Sequence, residues 1–486
     1  MLQTITVDVG TTSVKLCLFD AAGELLASER HATPTMADAW GEIYNIATLT
    51  DFVGGFIRDL APSDRAATRR IAITGVGESG GLVRPDLSLA SPMILWHDHR
   101  GADYLAPLNA EAKALVYRVT GLPVNANYGL SKTAWALANA DGSTDDAKWL
   151  NISEYLAALM TGQFWSEYSL ASRTMALDLE HGTWSEEVTA LVGLDVDVYP
   201  ELRAATEGSA IAAGFASSVG LPLDVHVHVA GHDHMVGGIG ADLQPGELLN
   251  STGTTEGLLF LRNSPTVDDF TAGSKLANGI SNTGFSSTKP SFTLFASIPT
   301  GGSAFATLQS MLGMTAVELT TCIADVHTRY IAGEIDVRDA PLVLPQFRGS
   351  PPPTKRAAAR AIISGLGTDA TAADIVFGTF LGMALQFSDV LELFRERPDR
   401  IKVIGPANRN PLWLQLKADL LGTPLSVSGF PEVVSRGAQS LASGETGNWD
   451  DCDPVDVLVD EARHARLREW LADVRPRWEH LKATPE

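Results

Sequence analysis

Asp8-Val9-Gly10-Thr11-Thr12-Ser13-Val14-Lys15 follows the apolar run Thr4-Ile5-Thr6-Val7 and leads into Leu16-Cys17-Leu18-Phe19, so a small polar turn sits between two strand-like segments. The same tripeptide returns as Gly253-Thr254-Thr255, again flanked by segments that read as strands. Glycine lets the backbone approach an oxyanion, the hydroxyls and turn amides donate to it, and Lys15 adds charge. Beyond Phe19, Asp20-Ala21-Ala22-Gly23-Glu24 is a turn and Leu25-Leu26 is apolar again, which predicts a hairpin and not a helix. The familiar nucleotide loops instead run from a strand into a helix whose N-terminus holds the phosphates. One Gly-Thr-Thr alone would be ordinary turn chemistry. The second copy, with Asp8 and Lys15 flanking the first, favours two similar lobes that grip one nucleotide.

Length and composition fit that expectation. A chain of 486 residues exceeds one ordinary core, and two lobes of roughly 200 to 250 residues are the natural division. The turn signal Gln244-Pro245-Gly246-Glu247 puts the boundary between 1–245 and 246–486. A net charge of -22 argues against nucleic acid or an anionic membrane as partner, so any anionic ligand must be met by local donors. Cys17, Cys322 and Cys452 form neither a metal-site nor a disulfide pattern, which fits a reducing compartment. The chain begins directly on a strand without the features of a signal peptide, and no uninterrupted apolar run approaches membrane length. A cytoplasmic location is expected. No motif encodes assembly, and base rates among soluble homo-oligomers favour a homodimer.

Further along, Ile71-Ala72-Ile73-Thr74-Gly75-Val76 reads as a buried strand entering a glycine-rich turn, and Asp224 to Gly231 alternates as a strand should. A helix is predicted over Pro411 to Leu421, with Asn410 as N-cap, Pro411 in the first position and Gly422 closing the end. Between it and the strand Ile401-Lys402-Val403-Ile404 lies Gly405-Pro406-Ala407-Asn408-Arg409, where adenine would rest if this strand end binds ligand as α/β folds tend to. An ordinary strand-to-helix connection is the competing reading. Gly349 to Thr354 reads as a surface loop, and Val455 to Leu471 has helical spacing that Pro476 breaks or kinks.

Phosphoryl transfer to an alcohol needs one carboxylate within reach of the hydroxyl. Asp233 is the candidate, in His232-Asp233-His234-Met235-Val236-Gly237-Gly238; if that segment opens a helix, its dipole would help keep the carboxylate ionised. The plain alternative is a helix cap. A second cluster, Trp96-His97-Asp98-His99-Arg100, suits a polyhydroxylated ligand: Asp98 accepts from vicinal hydroxyls, Arg100 donates and Trp96 covers an apolar face. A metal site built from His97, His99, His232, Asp233 and His234 is the competing reading, although the familiar zinc signatures space helical histidines differently.

With these motifs in place, the chain resembles, over nearly its full length, the FGGY carbohydrate kinase family, which includes xylulokinase, ribulokinase and glycerol kinase. Asp8 to Lys15 matches the first phosphate motif, Trp96, Asp98 and Arg100 match a Trp-x-Asp-x-Arg sugar motif, and Asp233 falls on the catalytic base. Gly253, Thr254 and Thr255 match the second phosphate motif, and Gly301-Gly302 falls where the family has a further nucleotide-contacting pair. Gly405 and Asn408 lie in the adenosine motif, and the following helix matches through Trp413, Gln415, Ala418 and Asp419. The resemblance implies an α/β fold of two ribonuclease-H-like lobes, as in actin-like ATPases, with a central catalytic cleft, sugar on the first lobe and ATP mainly on the second. It also implies Mg²⁺, with Asp8 as a ligand through water.

Departures from the family pattern bear on substrate. Where xylulokinases carry Gln-Met-His-Gly, this chain has Glu78-Ser79-Gly80-Gly81, which implies a more acidic and roomier sugar site with Glu78 facing the substrate. The arginine that glycerol kinases place nearby is missing. Pro406 and Ala407 replace part of a glycine run, removing one amide donor and adding a methyl. The expected activity is ATP-dependent phosphorylation of a pentulose such as xylulose, with a tetritol, pentitol or other polyol as alternative acceptor. An actin-fold ATPase that uses no sugar is the alternative of another class.

Overall fold

Each Gly-Thr-Thr is the entire connection between two antiparallel strands. Gln3–Val9 pairs with Ser13–Phe19 so that Val9 faces Val14, and Glu247–Thr252 pairs with Glu256–Arg262 so that Thr252 faces Glu256. On its other side each first strand has a parallel neighbour, Thr68–Gly75 in one case and Arg400–Ile404 in the other. The first parallel neighbour ends in a glycine and the second is followed directly by one, each pressed on the residue before the tripeptide. A Cβ on Gly75 would lie 2.7 Å from the Val9 carbonyl oxygen, and one on Gly405 would lie 2.0 Å from that of Thr252.

These strands belong to a computed structural model that describes residues 2–265, 276–281, 292–445 and 447–484, the side chains of residues 407 and 408 excepted. The first sheet runs Ser209–Ala210, His226–His232, Thr68–Gly75, Gln3–Val9, Ser13–Phe19, Leu25–Ala32. The second contains, in the same sequence of antiparallel and parallel steps, Val455–Val457, Leu425–Val427, Arg400–Ile404, Glu247–Thr252 and Glu256–Arg262. The α/β class and duplicated ribonuclease-H-like layout expected from sequence are therefore present.

In the first sheet all seven residues of Gln3–Val9 are buried, as a central strand covered on both faces must be. Ile5, Val7 and Val9 join Leu49, Val53, Ile57, Ile73 and Val227 in one core. The opposite face carries Ala72 and Ala230, small enough for Val236, Ala438 and Leu441 to pack closely. Those last three residues come from the helices Asp233–Gly240 and Val433–Ser443. In the other sheet's unit, the core helix Ala372–Glu392 starts at a capping box of Thr371 and Asp374 and buries Phe377, Phe380, Leu381, Leu385 and Phe387. By length and composition alone this helix would pass for a membrane span, but most of its apolar window is buried within the protein.

Contacts divide the chain into two units: 1–242, 261–294 and 432–448 form one, and 243–260, 295–431 and 449–486 the other. This corrects the expected single break between 1–245 and 246–486. The first crossing comes three residues earlier, and the chain returns twice, the second time because Val433–Ser443 packs on the first sheet's helix Asp233–Gly240 and strand Gln3–Val9. Three smaller expectations also change. Val455–Val457 is a strand, drawn out by pairing with Leu425–Val427. The helix Glu461–Ala483 continues through Pro476, and Arg475 on one side of the proline and Trp478 Nε1 and Lys482 Nζ on the other all donate to Asp389. In the loop Gly349 to Thr354, the first four residues are buried and only Pro353 and Thr354 are exposed.

Candidate active site

Antiparallel register puts Lys15 directly across from Asp8. The Lys15 ammonium lies 3.3 Å from Asp8 Oδ2 and 3.0 Å from Glu432 Oε2, a partner no local pattern announces. Burial opposes the charge on Lys15, but the two carboxylates outweigh it and hold the ammonium protonated. Asp8 is almost fully buried, and its Oδ1 has no hydrogen-bond partner. The loop itself is tied down from below: Gly10 N–H donates to Ser13 O at 3.1 Å, Thr33 Oγ1 donates to Gly10 O at 2.8 Å, and Thr33 N–H donates to Thr12 O at 3.2 Å. Thr11 and Thr12 remain exposed. Cys17, two residues beyond Lys15, is buried with its thiol pushed up to about 12 and is inert.

Asp233 is the first residue of the helix Asp233–Gly240, directly after the strand that ends at His232. Its side chain is 22% exposed, and Oδ1 accepts from His234 N–H at 2.7 Å and lies 3.3 Å from His232 Nε2. The helix start does not decide its protonation. Burial, then the charges of Asp8 and Glu78, push the carboxyl well above the usual range, against the opposing pull of the His234 amide and Lys15. Burial, with the charge of Arg173, holds His234 down at about 4, and burial, His234 and Arg173 hold His232 well below its usual value, so both imidazoles stay neutral. His232, Asp233 and His234 each bring one ligand atom within 4.8 Å of the others. His97 and His99 are not in that group, and His99 bonds to Asn127.

Glu78 is half-buried on the turn after the strand Thr68–Gly75. Two side chains from other elements fasten that turn. Asn151, the N-cap of the helix Ile152–Thr161, donates Nδ2 to the carbonyls of Val76 at 2.9 Å, Gly77 at 3.2 Å and Ser79 at 3.1 Å. Lys132 donates to the carbonyl of Glu78 at 2.9 Å. Gly80 itself opens no room, because a Cβ there would lie 2.4 Å from the buried Trp149 indole, which fills the space.

Trp96 is half-buried with an indole N–H that has no partner. Asp98 and Arg100 are engaged with each other: Arg100 N–H donates to Asp98 Oδ1 at 2.7 Å and Nε to Oδ2 at 2.9 Å, while Nη1 donates to Asp38 Oδ2 at 2.8 Å. Asp38 in turn accepts from the amides of Trp40 and Gly41 at 2.7 and 2.8 Å. The guanidinium, 3% exposed, is thus a brace between two turns, with its charge already matched by two carboxylates.

In the other unit the expected nucleotide residues interlock through their backbones. Gly302 N–H donates to Gly253 O at 2.8 Å, and Gly301 N–H donates to Thr254 O at 3.1 Å. A Cβ on Gly301 would lie 2.5 Å from the Thr255 carbonyl carbon, so the approach requires glycine. The helix Ser303–Leu312 starts directly after the pair. Gly405, with φ of 90°, leads into the 3-10 turn Pro406–Arg409, and the helix Pro411–Leu421 comes next with Asn410 accepting from Trp413 N–H at 3.0 Å. The side chain of Asn408 lies outside the described residues.

Comparison with known proteins places these features in context. The family model described as "FGGY family of carbohydrate kinases, N-terminal domain" matches residues 3–240, and its C-terminal counterpart matches residues 248–444. The chain is 25% identical to a glycerol kinase of Lactococcus lactis, an alignment covering 93% of this chain and 91% of that one. Among solved structures, a xylulose kinase from Lactobacillus acidophilus superposes with a TM-score of 0.85 at 19% identity, covering 100% of this chain and 99% of the other. A gluconate kinase from the same organism gives 0.85 at 20% identity, with 99% and 98% covered.

Proposed function

The chain belongs to the FGGY family of carbohydrate kinases, enzymes that phosphorylate sugars at the expense of ATP, and from that premise we propose that its acceptor is a small neutral ketose or polyol, a pentulose before others. The observation that carries the reading is Asp233: a recessed carboxylate at a strand-to-helix junction whose proton affinity is raised by burial and by Asp8 and Glu78. Such a group takes the proton of an attacking hydroxyl better than an exposed aspartate does. His234 and His232, whose imidazoles bind a proton only weakly here, do not compete with it as bases. The partnerless Trp96 N–H and the half-buried Glu78 carboxylate supply one donor and one acceptor for sugar hydroxyls. Arg100 and Asp98 act as positioning residues in this scheme, since their charges are spent on each other and on Asp38.

Exposed Thr11 and Thr12, the Gly10 loop and Lys15 form a phosphate-facing surface on one unit. Gly253, Thr254 and Thr255, backed by Gly301 and Gly302, form a second on the other unit. The partnerless Asp8 Oδ1 fits a hydrated Mg²⁺. That ion, when bound, neutralises the phosphate charge that the protein's own residues do not. The cytosol is the location we assign.

A polyol acceptor is the second reading, favoured by the 25% identity to a protein named glycerol kinase. ADP release measured across D-xylulose, D-ribulose, erythritol, xylitol, glycerol and gluconate separates the two. One acceptor should dominate, and Asp233→Asn should lower its turnover by about 10² to 10⁴-fold with the KM for ATP within about twofold. ADP release indifferent to both acceptor and Asp233 would leave an ATPase that uses no sugar. Loss of ATP binding in the variant would make Asp233 structural.

A further inference from the structure

We infer that Lys132 is a positioning residue for the acceptor, setting the separation of the turn that carries Glu78 from the turn that carries Trp96. The inference rests on the sugar-kinase reading above. Lys132 lies in the first turns of the helix Gly129–Ala138 and is fully buried. Its three N–H donors meet three backbone carbonyls, those of Glu78 at 2.9 Å, Leu95 at 3.0 Å and Trp96 at 2.7 Å.

The place of this contact in the backbone gives it meaning. Gly80 and Ile94 exchange both hydrogen bonds of an antiparallel pair, at 3.1 and 2.8 Å. Were the ladder to continue, Glu78 and Trp96 would be the next such pair, two residues further on each side. Their carbonyls instead turn onto one ammonium group, which takes the place of that pair and fixes how far the two segments stand apart. Glu78 and Trp96 are the residues assigned to acceptor hydroxyls, so the Lys132 side chain sets the distance across which an acceptor is held.

Simple packing does not account for the choice of lysine. Among the described residues Lys132 has no carboxylate within ion-pair distance, and burial pulls its ammonium down to about 7 while Glu78 and Asp98 raise it and Arg100 lowers it further. A buried cation without a paired anion costs stability that an aliphatic side chain and a closed ladder would not.

The test uses Lys132→Met, which keeps the length of the side chain and removes the donors. Two quantities are read in the full chain: the KM and kcat for D-xylulose, or for glycerol if that is the sugar turned over, and the emission of Trp96, isolated by subtracting a Trp96→Phe background. The acceptor KM should rise about tenfold or more with the ATP KM unchanged, and the Trp96 emission should shift, because small misplacements of binding groups are costly. A folded Lys132→Met protein with unchanged acceptor KM and unchanged Trp96 emission overturns the inference and leaves an inert strut. If that variant does not fold, Lys132→Gln, which keeps two donors on a shorter arm, is read in the same way with the same deciding outcomes. Absence of turnover on every sugar would sink the kinase reading, while the Trp96 emission, which needs no substrate, still decides the role of Lys132.

Discussion

The two Gly-Thr-Thr hairpins share a loop of three residues, a parallel neighbour and a glycine at or just past that neighbour's end, yet their surroundings differ in charge. Two residues before the first tripeptide stands Asp8 and five after its glycine Lys15; at the same offsets the second has Ser251 and a fully buried Leu258. The first hairpin also draws in Glu432, whereas Glu256 beside the second turns inward to pair with the buried Lys417. The same backbone therefore carries ionic side chains at the first loop, whereas the second loop offers amides and hydroxyls and its nearby ion pair is buried. The charged copy sits in the unit that holds Asp233, so charge changes there should act on the transfer step. The neutral copy should act on nucleotide affinity and on stability.

The largest effect expected from this contrast is at Lys15. Lys15→Met leaves Asp8 and Glu432 without their cation and should lower kcat/KM by about 100-fold. It should also shift the pH profile in a defined direction. Asp233 must be ionised to accept a proton, so the rate falls as pH drops through its raised pKa; Lys15 lowers that pKa, and its removal moves the acid limb to higher pH. An unmoved limb would uncouple the first hairpin from the base.

The matched glycines come next. Gly405→Ala meets both a φ of 90° and a backbone oxygen at 2.0 Å, and should cost about 3 kcal/mol in urea unfolding. Gly75→Ala meets Val9 O at 2.7 Å without a left-handed φ and should cost about 1 to 2 kcal/mol. Equal losses would show that the two copies are under the same strain. The smallest effect is at the neutral loop: Thr255→Val removes one hydroxyl and should raise the KM for ATP about fivefold with kcat nearly unchanged, as loss of a single hydrogen bond predicts. A comparable loss in kcat would mean that the second hairpin, too, acts on the transition state.

How much of this molecule is legible in its sequence depends on the range of the interactions. The hairpins, the helix Pro411–Leu421 with its Asn410 cap, and the strand-to-helix junction at Asp233 are set by near neighbours, and each is readable from turn and capping chemistry. The residues that tune the site are not near neighbours. Glu432 reaches Lys15, Asn151 fastens the Val76 to Ser79 turn, and Trp149 fills the room that Gly80 leaves, all from parts of the chain that no spacing rule connects. Arg100 shows the same limit from another side. Its motif suggests a free donor for sugar hydroxyls, but Asp38, on a separate turn, already occupies it. Val455–Val457 shares the helical spacing of the segment C-terminal to it, and only its pairing partner Leu425–Val427 makes it a strand.

The return of residues 432–448 to the first unit has a consequence for synthesis. The helix Val433–Ser443 covers Ala72 and Ala230 on the first sheet, and it is made about two hundred residues after the strand His226–His232 that it packs upon. While the ribosome translates the second sheet, the nascent first unit therefore presents an uncovered apolar face and a Lys15 without Glu432. Its closure waits on residues 432–448, so this enzyme's first unit finishes folding only after most of the second has been synthesised.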